Sequence, residues 1–96
     1  MKRSNTQNIK EVVDLILDQL QIKTKLKEVQ AIRVWKDMMG KTVERHLRDV
    51  TIHQRVMFIK LNSSIVRAEL SMMRSEMVKA VNDRVGEKVI DDMVIR

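Results

Sequence analysis

Apolar residues at Ile9, Val12, Val13, Ile16, Leu17 and Leu20 recur at three- and four-residue spacing, the pattern of a helix with one buried stripe. The spacing predicts a first helix that starts between Asn5 and Ile9 and ends at Leu20. Two capping boxes compete for its start, Ser4-x-x-Gln7 and Asn8-x-x-Glu11. Thr24 is expected to cap a second helix, with Glu28 in its first turn and Gly40 as its stop. Leu26, Val29, Ala31, Ile32, Val34, Trp35, Met38 and Met39 cover more than half of that helix, so it should wedge between the first helix and a sheet, with Trp35 as a core anchor. Residues 41–48 read as a short connector of about one helical turn.

The period then changes to two. Val50 and Ile52 alternate with Thr51 and His53, and Met57, Ile59 and Leu61 alternate with Val56, Phe58 and Lys60. A two-residue turn at Gln54-Arg55 pairs His53 with Val56 and Ile52 with Met57, which puts Val50, Ile52, Met57, Ile59 and Leu61 on one face. The turn is poor chemistry, since a tight hairpin favours Asn-Gly there. Asn62-Ser63-Ser64 caps a long helix expected from Ser64 to Val85, with Val66, Leu70, Met73, Met77, Val81 and Val85 as its buried stripe. Gly86 ends it, and Val89–Ile95 reads as a last strand whose crossover connection favours parallel pairing. The predicted order is α-α-β-β-α-β, an α+β fold whose three-stranded mixed sheet has helices packed on one face and the other face open. Residues 1–7 are expected as a flexible tail and 8–96 as one domain.

Composition narrows the function. The 96 residues include no cysteine, which removes disulfides, thiolate catalysis and Cys-based metal sites. No apolar run approaches the roughly 20 residues needed to span a bilayer. The basic start Met1-Lys2-Arg3 lacks the apolar segment of a signal peptide, so a cytoplasmic location is expected. His46 and His53 have no metal-ligand spacing, Asp91 and Asp92 point to opposite faces of a strand, and no nucleophile has a nearby base. Neither an enzyme nor a cofactor is expected.

The net charge of +6 is lopsided. Residues 1–60 carry thirteen basic and seven acidic groups, whereas residues 61–96 carry six of each. Such a field suits a polyanion, and Arg33, Lys36, Lys41, Arg45, Arg48, Arg55 and Lys60 are the candidate nucleic-acid contacts. Trp35 and Phe58 are the only aromatics, too few for a base-stacking platform. The open sheet face should carry Thr51, His53, Val56, Phe58 and Lys60. Of these, His53, Val56 and Phe58 are candidate partner contacts, unless a terminal segment or a dimer mate covers them.

Several motifs in order resemble one family. They are Thr24–Leu26, Trp35-Lys36-Asp37-Met38-Met39-Gly40, Met57-Phe58-Ile59-Lys60-Leu61, Asn62-Ser63-Ser64, Arg67-Ala68-Glu69-Leu70, Asn82, Gly86 and Asp92-Met93-Val94-Ile95-Arg96. From about Asn8 to Arg96 the chain resembles the DciA family. That resemblance implies a fold similar to a type II KH domain. It also implies a role in bacterial DNA replication: binding DNA and the replicative helicase and assisting helicase loading without nucleotide hydrolysis. The G-x-x-G loop of true KH domains is missing, Gln54-Arg55 replaces the Asn-Gly hairpin of many relatives, and the basic extension many carry is not seen here. Either DNA affinity is weaker or the folded domain supplies it alone. Two other readings stay open: a protein–protein module, such as a homodimer through the Phe58 face, and a KH-like RNA binder.

Overall fold

The computed structural model describes residues 6–96 of the chain. A long helix α1 (Thr6–His46) leads into a hairpin of β1 (Leu47–His53) and β2 (Val56–Leu61). Helices α2 (Ser64–Met72) and α3 (Arg74–Val85) and strand β3 (Asp92–Ile95) follow. The order is thus α-β-β-α-α-β, and two helix boundaries differ from the sequence expectation.

The first difference is that the two expected N-terminal helices are one. Residues 6–39 contain neither glycine nor proline, so nothing forces a break near Leu20. Thr24 does not cap a helix. Its Oγ1 donates to the carbonyl of Leu20 at 2.9 Å, the way a mid-helix threonine satisfies its hydroxyl. Asn8 likewise lies inside α1 rather than at its start, while Ser4 and most of the expected tail fall outside the described residues. Gly40 does interrupt the helix as expected. Its φ of 79° and ψ of −174° lie in a region essentially reserved for glycine, and the chain turns there before a last helical stretch through His46.

The second difference is a break at Met73 (φ −103°, ψ 10°), which splits the expected Ser64–Val85 helix. Ser71 Oγ donates back to the Arg67 carbonyl at 2.7 Å, and the Met73 amide bonds only three residues back to Leu70. Both features bend a helix. Met73 therefore turns outward, 43% exposed, and leaves the stripe that Leu70, Met77, Val81 and Val85 form. The start behaves as predicted: Ser63 caps α2, accepting from the Val66 amide at 3.3 Å.

The sheet follows its alternation. Strand β2 lies in the middle, antiparallel to β1 and parallel to β3. His53 faces Val56 and Ile52 faces Met57, as the two-residue turn required. Gln54 (φ 50°) and Arg55 (φ 67°) both take positive φ, the backbone a tight hairpin needs, without the usual glycine. Arg48 is the extra residue of a bulge, because Leu47 faces Leu61 while Asp49 faces Lys60.

Met57, Ile59 and Met93 from the sheet meet Ala31 and Trp35 of α1 and Met77, Val81 and Val85 of α3 in one buried cluster, so the helices cover one face. Strand β3 starts at Asp92 rather than Val89, because Val89 and Ile90 are held by a side chain instead of a ladder. Asn82 Oδ1 accepts from the amides of Val89 and Ile90 at 2.9 and 3.1 Å, and its Nδ2 donates to the Ile90 carbonyl at 2.8 Å.

The predicted stripe from Ile9 to Leu20 is exposed rather than buried. Only the part of α1 from Ala31 onward joins the core, and the rest projects from the sheet, stretching the molecule to 66 × 23 × 19 Å. The periodicity was real, but no part of the sheet extends far enough to cover it.

A Cβ at Gly40 would meet no neighbour within 4 Å, so only the backbone opposes substitution there. Gly40→Ala should lower unfolding free energy by about 1–3 kcal/mol in urea titration. An unchanged midpoint would show that the corner relaxes without strain.

Candidate nucleic-acid interface

The seven candidate cations come from four places in the fold, the fourth being Arg55 in the hairpin turn. Arg33 and Lys36 lie on α1 on either side of buried Trp35, three residues apart and both exposed. Lys41 and Arg45 are one turn apart in the helical stretch after Gly40, and Arg48 follows in the β1 bulge. Lys60 lies on the outward face of β2, opposite Asp49. Lys41, Arg45 and Arg48 thus follow the Gly40 corner within eight residues of chain, the first two on the last helical stretch of α1 and the third at the start of edge strand β1. Arg33, Lys36, Lys41, Arg45, Arg48 and Lys60 are all exposed, and among the described residues none has a carboxylate within ion-pair distance.

Arg55 is different. Its Nε and one terminal nitrogen donate to the two carboxylate oxygens of Asp91 at 3.0 and 3.1 Å, and that nitrogen also donates to the Lys88 carbonyl at 2.9 Å. The Asp91 amide returns a bond to the Arg55 carbonyl at 2.7 Å. This fork-on-fork arrangement fastens the hairpin tip to the segment entering β3, and it accounts for a bulky residue at positive φ. The hydrogen bond raises the Arg55 pKa. It also holds the Asp91 carboxyl below the usual carboxylate range, helped by the charges of Arg55 and Lys88. The charge that the sequence offers to phosphate is used inside the fold.

The open face of the sheet carries exposed Thr51, His53 and Lys60, with half-buried Val56 and Phe58. The guanidinium of Arg96 lies 5.2 Å from the centre of the Phe58 ring, a cation–π contact that covers part of the aromatic. Sequence reasoning did not single out Arg96. The signal was available, since residues 92, 94 and 96 alternate outward beside 56 and 58 once β3 is parallel to β2.

The charge of β3 does not extend the basic surface. Arg74 pairs with Asp92 at 3.5 Å, Lys88 with Asp91 at 3.7 Å, Lys79 with Asp83 at 2.9 Å and Lys27 with Glu87 at 3.8 Å. Acids of the balanced C-terminal third thus neutralise cations near them. Among the described residues no group of three or more His, Asp or Glu is placed to hold a metal ion, and no helix is long and apolar enough to cross a membrane.

A family model described as "Dna[CI] antecedent, DciA" matches residues 8–95. A comparison with curated proteins finds no match.

The Arg55–Asp91 clamp predicts a pH-dependent contribution to stability. A carboxyl whose pKa is depressed by folding stabilises the fold above the ordinary carboxylate range, and the gain is lost as pH falls through that range and below it. Asp91→Ala should melt below the native protein at neutral pH, with the gap closing on acidification. Both groups are half-exposed, so added salt should also narrow it. A gap independent of pH would remove the clamp from the account.

Proposed function

Because the chain belongs to the DciA family, whose members are non-catalytic factors in loading the replicative helicase, we propose that it is an adaptor that holds DNA through its exposed cations and the helicase through a separate surface. The single observation that supports the DNA contact is the contrast within the basic residues. Arg33, Lys36, Lys41, Arg45, Arg48 and Lys60 are exposed and, among the described residues, free of acidic partners, whereas Arg55 and three of the six cations of the C-terminal third, Arg74, Lys79 and Lys88, are paired. Unpaired surface cations release counterions from a phosphate backbone without first breaking an internal ion pair.

The central contact in this reading is the run Lys41, Arg45 and Arg48 at the Gly40 corner. Its side chains read charge rather than sequence. We take the helix-backed sheet as a KH-like frame, but Gly40 and Gly86 stand alone, so backbone amides of a G-x-x-G loop are not the clamp. Side chains must supply the grip. The helicase side is assigned to the hairpin end of the open sheet face, at His53, Val56 and Phe58, with Lys60 the one proposed DNA contact on β2 that shares this face. A cytoplasmic place in a bacterium accompanies that role.

Fluorescence anisotropy with labelled single-stranded and duplex DNA tests the contact. The triple variant Lys41→Ala, Arg45→Ala, Arg48→Ala should lose about tenfold or more in affinity, alike for unrelated sequences, and its salt slope should fall by about 2–3. Unchanged binding would overturn the assignment. Unlabelled RNA that competes better than DNA of the same sequence would redirect the reading toward RNA.

A further inference from the structure

His46, the last residue of α1, stands among the proposed DNA contacts without being one of them: it follows Arg45 and precedes Arg48 by two residues. Its Nδ1 lies 3.2 Å from Oδ1 of Asn62, and its carbonyl accepts from the Asn62 amide at 2.9 Å. Asn62 in turn follows Lys60 by two residues. The imidazole is therefore pinned where the stretches that carry Arg45, Arg48 and Lys60 come together. His46 is half-buried, yet among the described residues its Nε2 has no hydrogen-bond partner and stays open to solvent.

An amide oxygen only accepts, so a bond to Asn62 Oδ1 requires the hydrogen on Nδ1 of the ring. In the neutral imidazole Nε2 is then a bare lone pair, which repels an anion. Only the imidazolium presents an N–H there. We infer that His46 is a proton-gated phosphate contact of the DNA surface: Asn62 holds Nδ1, and Nε2 donates to a backbone phosphate only after taking up a proton from solvent. The inference rests on the DNA-binding reading and adds to it one residue and a pH dependence.

The charged groups on the elements that meet at the ring suit this role. On α1 they are Lys41, Glu44 and Arg45, on β1 Arg48 and Asp49, and on β2 Lys60. Helix α2 contributes Arg67, whose Nη1 donates to the Leu61 carbonyl at 2.9 Å. The end of β3 contributes Arg96, whose carbonyl accepts from the Leu61 amide at 2.8 Å. Cations thus outnumber acids, and one oxygen of Asp49 is taken by the Val50 amide at 3.0 Å. Among the described residues no carboxylate lies within ion-pair distance of His46. An imidazolium there has no internal acid to neutralise it, so the opposite charge comes from outside, and phosphate oxygens supply it as charge-assisted acceptors. The bound state then holds more protons than the free one, so affinity rises as pH falls through the range in which histidines titrate.

Anisotropy with the full chain and a labelled single-stranded oligonucleotide, at constant ionic strength, tests the gate. Between about pH 7.5 and about pH 5.5 affinity should rise about five- to tenfold, with a log–log slope no steeper than about one proton. His46→Gln keeps a polar side chain but cannot titrate, and it should remove the rise. Asn62→Asp should move the rise to higher pH, because a carboxylate beside Nδ1 favours the imidazolium. Trp35 fluorescence reports whether each variant keeps its core. Long-range proton–nitrogen spectra of the free protein at about pH 8 should find the His46 hydrogen on Nδ1. The variant Lys41→Ala, Arg45→Ala, Arg48→Ala separates the two claims. If it weakens binding while native affinity stays flat with pH, the DNA surface stands and the gate is overturned. A rise that survives His46→Gln, a rise that Asn62→Asp leaves in place, or a neutral ring with its hydrogen on Nε2 overturns the gate as well. If the triple variant binds like the native chain at every pH, the DNA surface itself is lost, and the gate with it.

Discussion

Strand β2 is hydrogen-bonded on both edges, so the parity of its side chains decides which parts of the molecule can be buried and which must stay available. Met57, Ile59 and Leu61 point to the helices and are buried; Val56, Phe58 and Lys60 must then point away. Trp35 is positioned by the same constraint, because its ring is buried in the cluster that joins Met57, Ile59 and Met93 of the sheet to Met77, Val81 and Val85 of α3. Once Trp35 is fixed, the axial position of α1 is fixed with it. The helix segment around residues 31–39 lies over the sheet, and everything more than a few turns earlier lies beyond its edge. A one-residue slip in β2 would exchange the two faces and remove the seat of the tryptophan.

That hierarchy explains what the sequence disclosed. The hairpin register, the buried face of the sheet, the Ser63 cap and the stops at Gly40 and Gly86 were legible, because each is a local pattern with one dominant outcome. The Leu20–Thr24 break was not. Capping signals are short enough to recur inside a helix, and Thr24 there bonds back to Leu20 instead. The exposed stripe exposes a deeper limit: periodicity shows that a helix has an apolar face, but not that this domain owns the surface that covers it. Met73 failed for a related reason, since the bend that turns it outward comes from hydrogen bonds of its neighbours rather than from its own chemistry.

The candidate interface was legible in charge and illegible in pairing. Arg55 looked equivalent to Arg48 and Lys60 along the chain, yet its partner Asp91 is 36 residues away and comes within reach only when β3 docks beside β2. Lone surface ion pairs contribute little, but this one also ties down a hairpin whose two turn residues have positive φ without being glycine. The poor turn chemistry at Gln54-Arg55 and the loss of Arg55 from the basic surface are therefore the same fact. A glycine in the turn would have relieved the backbone and left the hairpin tip untethered.

The overhang of α1 follows its own energetics. An isolated helix of this length is marginal in water, because nucleation is costly and no tertiary packing rewards it. Here the core-anchored turns from Ala31 to Met39 act as a preformed nucleus, so each earlier residue needs only the favourable step of propagation. Helicity is thereby extended outward from the core, and it should weaken toward the free end as the distance from Trp35 grows. Apolar side chains on such a segment contribute almost nothing to folding of the single chain, since nothing removes them from water. Any surface that does cover them gains the whole of their burial and at the same time fixes the helix that presents them. Fold stability and apolar exposure are thus carried by different stretches of one uninterrupted helix, with the boundary set by the edge of a three-stranded sheet.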